Sequence, residues 1–138
     1  MIPENVDLHS LQEMGRDSMV EFLEIEFTEI GKDYLVAKMP VNQKTRQPFG
    51  LLHGGASVVL AETLGSIASN LVLAGKQIAV GLEVNANHIR SVKEGFVFGT
   101  ARPIHLGKKT HVWSIEIKDE YNNMICISRL TIAVIDNK

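Results

Sequence analysis

The chain has 138 residues, 45% hydrophobic and 22% charged. That is enough for one domain spanning residues 1–138 with a core burying roughly 68% of the unfolded surface, and too little for separate cofactor and substrate domains. Fourteen Lys and Arg against sixteen Asp and Glu leave a formal charge of -2, which argues against a surface built for nucleic-acid phosphates. The one cysteine, Cys126, excludes an internal disulfide and a cysteine-based zinc cluster, so a reducing cytoplasmic compartment is expected. Met1 to Asn5 lacks the basic-then-apolar pattern of a signal peptide. There is no linker, repeat or low-complexity stretch.

The first predicted element is a short helix, Val6–Met14, capped by Asn5 and closed by Gly15. Alternation then places Leu23, Ile25 and Phe27 on one strand face and Glu24, Glu26 and Thr28 on the other. Gly31-Lys32-Asp33 reads as a turn into a second strand, with Leu35, Ala37, Met39 and Val41 on one face. A polar loop, Asn42 to Gly50, contains Pro48. From Gly54 to Gly75 the chain has no proline and a single charge, Glu62, which predicts a long helix buried all round. Ser57, Thr63, Ser66, Ser69 and Asn70 make it too polar for a confident membrane span. Strands follow over Ile78 to His88, Phe96 to Ile104 and His111 to Lys118. Tyr121-Asn122-Asn123 suits a hairpin turn, and Met124 to Ile135 closes the chain with a bulge expected near Ser128-Arg129.

This order gives an α+β fold, a curved antiparallel sheet wrapped around one long central helix. A single sheet has one concave face, so the helix's other flank calls for a second copy of the chain.

The candidate chemistry centres on Glu62. Burying an unpaired carboxylate is costly, and the stripe around it carries Gly55, Val58, Val59, Gly65, Ser66 and Ser69, largely small residues that let a ligand or a partner backbone come close. A carboxylate that merely reaches solvent or bonds to a strand is the alternative. Phe49-Gly50-Leu51-Leu52-His53-Gly54-Gly55 places glycines at a helix N-terminus, where unpaired N–H groups suit a developing oxyanion. No Gly-x-Gly-x-x-Gly, phosphate-loop lysine or His-Glu-x-x-His is present. The histidines lack metal-ligand spacing, Ser57 and Ser66 lie outside a Gly-x-Ser-x-Gly elbow, and Cys126 falls mid-strand as a buried structural thiol. No metal or cofactor is expected.

Gln47-Pro48-Phe49-Gly50-Leu51-Leu52-His53-Gly54-Gly55-Ala56-Ser57 followed by Ala61-Glu62 resembles the hotdog-fold acyl-CoA thioesterases. The branch is that of the 4-hydroxybenzoyl-CoA and 1,4-dihydroxy-2-naphthoyl-CoA thioesterases. The resemblance continues through Gly81 to Ser91, His105-Leu106-Gly107, Val112-Trp113 and Ser128 to Thr131. It implies a cytoplasmic hydrolase of aromatic acyl-CoA, as in menaquinone synthesis, built as a dimer or dimer of dimers with its site between subunits. Glu62 would be general base or nucleophile. Gly54, with Gly55, would polarise the carbonyl; His53 and Gln47 would hold carbonyl or water, and Ser66 would orient the carboxylate or the water. His88, Ile89, Arg90 and Ser91, with His105, Leu106, Gly107, Lys108, Lys109 and Thr110, would meet coenzyme A, and Gly81 would permit close approach. Lys108-Lys109-Thr110 stands where the branch has a Ser-Arg-His type run, and it keeps positive charge there. The alternatives are a proofreading thioesterase on aryl carrier-protein thioesters, a hotdog hydratase or dehydratase, and a noncatalytic acyl-CoA-binding module.

Overall fold

The computed structural model describes residues 1–137 and places six strands in one antiparallel sheet of order β1-β2-β4-β5-β6-β3. In chain order the elements are α1 (Leu8–Met14), α2 (Met19–Phe22), β1 (Glu26–Ile30), β2 (Leu35–Pro40), α3 (Gly54–Leu73), β3 (Gln77–His88), β4 (Phe96–Leu106), β5 (Thr110–Asp119) and β6 (Met124–Asp136). The concave face is built by the predicted alternation: Leu35, Ala37 and Met39 on β2, and Trp113, Ile115 and Ile117 on β5, are fully buried. Each buried Leu or Ile contributes about 1.5–3 kcal/mol from area removed from water.

Helix α3 lies across this face through Ala56, Ser57, Leu60, Ala61, Leu64, Gly65, Ala68 and Ser69. Two glycines allow the approach. A Cβ on Gly65 would come within 2.5 Å of Leu130 Cδ2, and one on Gly99 within 2.6 Å of Leu64 Cδ1. A buried polar tie fixes the far half of the helix. Trp113 Nε1–H donates to Ser69 Oγ at 2.6 Å, and Ser69 Oγ lies 2.8 Å from His111 Nδ1. The serine hydroxyl has one proton and two lone pairs, so it serves the indole as acceptor and His111 Nδ1 as its second neighbour. The length and apolarity of α3 would also let it cross a membrane, but here one face is packed against the sheet.

Several sequence expectations are corrected. The first cap is Asp7, whose carboxylate accepts the Ser10 N–H at 2.7 Å, and the helix begins at Leu8 rather than after Asn5. Leu23 and Ile25 precede β1, and a four-residue helix capped by Ser18 occupies Met19–Phe22. The long helix stops at Leu73, with Ala74 in the left-handed region and Gly75 at φ 80. It is not buried all round in one chain: Glu62 is exposed, and Val58, Val59, Thr63, Ser66 and Ile67 are half-buried. Strand β4 runs two residues past Ile104. Strand β6 pairs without interruption through Ser128 and Arg129; its irregularity lies at Ile125, opposite Ile117/Lys118. Ser128 is a polar residue at a buried, inward position, so the apolar count lost phase there while the strand did not. Its hydroxyl has no hydrogen-bond partner among the described residues.

Candidate active site

The loop before α3 prepares a set of hydrogen-bond donors. Gln47 Oε1 accepts the Phe49 N–H at 2.5 Å, and its amide nitrogen has no acceptor among the described residues. His53 is the N-cap of α3, and its Nδ1 accepts the Gly55 N–H at 2.8 Å. An accepting Nδ1 leaves the ring proton on Nε2, so the exposed edge of His53 is a donor. The expectation that Gly54 and Gly55 act together is thereby corrected: the Gly55 amide is taken by His53. Ala56 and Ser57 N–H both go to the His53 carbonyl, while the Gly54 N–H has no acceptor among the described residues. One free backbone amide thus stands at the positive end of a 20-residue helix.

Strand β3 brings His88 to the same place. Its imidazole lies so close that a Cβ on Gly54 would sit 2.7 Å from His88 Nε2. Gln47, Gly54, Ser57, His88, Ile89, Arg90 and Ser91 line one cavity of about 330 Å³. Gln47, Gly54, His88, Ile89, Arg90 and Ser91 of the predicted set are therefore assembled within one chain and Ser57 joins them, while His53 caps the helix beside this cavity without lining it. Arg90 supplies the positive charge at the rim.

Glu62 stands elsewhere. Eight residues of helix separate it from Gly54, about 12 Å along the axis. Its carboxylate has no hydrogen-bond or ion-pair partner among the described residues, and the Ser66 hydroxyl does not bond to it. It borders a second cavity, of about 370 Å³, with Met19, Val20, Val59, Thr63, Ser66 and Ile67. Gly81 makes room for it: a Cβ there would lie 2.8 Å from Glu62 Oε2. So Gly81 does permit a close approach, but by the carboxylate. A register shift between Gly81 and Glu83 then turns Val84, Ala86 and His88 toward the helix side. The stripe of α3 facing this cavity is 59, 62, 63, 66 and 67; Gly65 and Ser69 of the predicted stripe face the sheet. Thr63 and Ile67, one and five residues from Glu62, fall outside the three-and-four spacing, which places Ile67 elsewhere on the helix, and nothing in the sequence marked Met19 and Val20.

His105, Leu106, Gly107, Lys108, Lys109 and Thr110 form the β4–β5 hairpin, beside the end of β6 where the Val134 N–H meets the Lys109 carbonyl. His88 pairs with Cys126, and Thr110 with Ala133. The two groups expected at coenzyme A thus lie at opposite ends of β6 and are not joined within one chain. A further cavity on the outer sheet face, of about 350 Å³, is lined by Phe98, Thr100, Arg102, Glu116 and Lys118 and shares no residue with either half of the site. Cys126 is fully buried and burial raises its thiol pKa, which suits a structural thiol.

Hydrogen-bond donors at one end of α3 and a free carboxylate on its open flank suit the attack of water on an activated acyl group. The chain belongs to the Thioesterase superfamily, which its residues 49–126 match, and the sheet wrapped on α3 is the hotdog fold. It is 55% identical over 130 residues to the 1,4-dihydroxy-2-naphthoyl-CoA hydrolase of Escherichia coli, covering 94% of this chain and 96% of that protein. It is 48% identical over 130 residues to the proofreading thioesterase EntH of Cronobacter turicensis, covering 94% and 95%. The crystal structure of a mutant of thioesterase PA1618 from Pseudomonas aeruginosa superposes with a TM-score of 0.96 at 47% identity over 99% of both chains. The protein is a thioester hydrolase.

Proposed function

We propose that the substrate is an aromatic acyl-CoA, with 1,4-dihydroxy-2-naphthoyl-CoA the first to test, and that Glu62 drives its hydrolysis. The observation that carries this reading is Glu62 itself, a carboxylate without a partner among the described residues, lining a cavity walled mainly by apolar side chains, with Gly81 leaving it room. The thioester carbonyl would accept from the Gly54 N–H, with the Gln47 amide and His53 Nε2–H as further donors. Glu62 would take a proton from the attacking water, or attack the carbonyl itself to form an anhydride that water then opens. A thiolate is a good leaving group near neutral pH, so no strong general acid is needed.

The reacting carbon must lie within about 3.5 Å of its attacking atom and within hydrogen-bond reach of the oxyanion donor. The 12 Å between Glu62 and Gly54 on one helix is too long for that. A second copy resolves it. β3 is an edge strand with an unpaired backbone and exposed Ile78, Val80 and Leu82. Antiparallel pairing of two β3 strands about Val84 and Asn85 would bring His88 and Gly54 of one subunit beside the partner's Gly81 and Glu62. The same pairing would carry the partner's β4–β5 hairpin toward Arg90, rejoining the two groups for coenzyme A.

Glu62→Gln should lower kcat at least 10³-fold while calorimetry still detects acyl-CoA binding; full activity would overturn the mechanism. Thiol release from acyl-CoA and from matching aryl carrier-protein thioesters separates the two carriers. The Cronobacter relative, a proofreading enzyme by name, makes that comparison worthwhile.

A further inference from the structure

Helix α2 is the one element beside Glu62 that the chemistry above does not use. It forms one wall of the Glu62 cavity through Met19 and Val20; the facing wall is the α3 stripe of Val59, Thr63 and Ile67. The space between them opens to solvent, so a group bound there lies along the α3 stripe with Met19 at its side.

Helix α2 is short, yet it is held at both ends. Ser18 Oγ accepts the Val20 N–H at 3.2 Å and donates to the Gly15 carbonyl at 2.6 Å. Gly15 packs so tightly on Val20 that a Cβ there would lie 2.8 Å from Val20 Cγ1. At the other end Lys44 Nζ donates to the Phe22 carbonyl at 3.1 Å, lies over the Phe22 ring at 4.8 Å and pairs with Glu24 at 3.6 Å. The backbone of the wall is therefore fixed, and the part that adapts is the Met19 side chain, 59% exposed.

We propose that Met19 is a specificity residue that selects a flat aromatic acyl group by laying its thioether against the ring. The inference rests on the reading of the Glu62 cavity as the place where the thioester is cleaved. A ring lying on the α3 stripe presents an aromatic face or edge to the Met19 thioether, whereas a straight alkyl chain offers the sulfur no such surface. Methionine adds a favourable sulfur–aromatic contact and fills irregular gaps, so it suits the wall that must close on the ring. Thr63 and Ser66, on the facing helix, offer hydroxyls to substituents of that ring.

The test is kcat/KM for benzoyl-CoA and naphthoyl-CoA against hexanoyl-CoA and decanoyl-CoA, measured on the wild-type protein, Met19→Ala and Met19→Leu. Melting curves confirm that each variant is folded. Met19→Ala should lower the aryl-to-alkyl ratio about tenfold, and Met19→Leu, which restores bulk without sulfur, should recover part of it. An unchanged ratio in a folded, active Met19→Ala protein would overturn the assignment and leave the thioesterase reading standing. If the wild-type protein releases thiol from every substrate but Glu62→Gln does so equally well, the reading of the cavity falls and the role of Met19 falls with it.

Discussion

His53 uses one of the two glycine amides that the sequence offers to an oxyanion. The remaining donors are unequal in kind: the Gly54 N–H is backbone at a helix terminus, while the Gln47 amide is a side chain held by the Phe49 N–H. Gln47→Ala removes a donor without disturbing α3, and kcat should fall about 10²-fold while the melting temperature stays within a degree or two. Gly54→Ala is the sharper case. Its Cβ would meet His88 Nε2 at 2.7 Å, so the imidazole must move, and stopped assays should show KM rising together with a lower kcat. Much at this scale was legible. A lone carboxylate in an apolar helix and glycines at its start point to Glu62 and Gly54 without coordinates. The loss of Gly55 was not legible, because it depends on His53 holding φ -71 and ψ 133, which turns the ring back over its own helix.

At the scale of elements, α3 carries Gly54 and Glu62, the two halves of the proposed chemistry, so its seat on the sheet matters. The tie from Trp113 through Ser69 to His111 fixes that seat two turns beyond Glu62. Ser69→Ala leaves a buried indole N–H and a buried ring nitrogen unpaired, and denaturant titration should show a loss of about 1–3 kcal/mol per orphaned group. His111 also sets an acid limit. Burial, and then the nearby His105, push its pKa below the ordinary value of about 6.5. The unfolded chain takes up a proton that the native chain resists, so the stability it contributes is complete above about pH 6.5 and drains away as pH falls below that. His111→Asn should flatten that part of a melting-temperature profile between about pH 7.5 and 5, whatever it does to stability at neutral pH. Elements with a clear period were read correctly, as the buried runs of β2 and β5 show. Those that were missed have no period to read. Helix α2 is four residues long, and the shift at Gly81/Glu83 changes which side chains of β3 face inward without changing the composition. Ser128 misled because a polar side chain at an inward position looks the same, in sequence, as a slipped strand.

For the molecule as a whole, the 12 Å between Gly54 and Glu62 makes the proposed functional unit larger than one chain. Co-expression tests this directly. Gln47→Ala and Glu62→Ala chains, each inactive or weak alone, should regain about a quarter of wild-type kcat when mixed at random, because half of the pairs then hold one intact site of two. Sites complete within one chain would give no such recovery. Equilibrium sedimentation should find an even number of subunits, and Val80→Pro, on the exposed edge of β3, should shift the population toward monomer with a parallel loss of activity. The central position of α3 has a consequence for the making of the protein. The helix is finished at Leu73, but β4, β5 and β6, which cover it, are not complete until Asp136. At about 5–20 residues per second, a nascent chain carries this segment without its sheet for roughly 3–13 seconds. During that interval a stretch apolar enough to enter a bilayer is shielded only by what the ribosome, chaperones and its own N-terminal hairpin provide. Its single charge, Glu62, then doubles as a deterrent to membrane insertion before there is any site for it to serve.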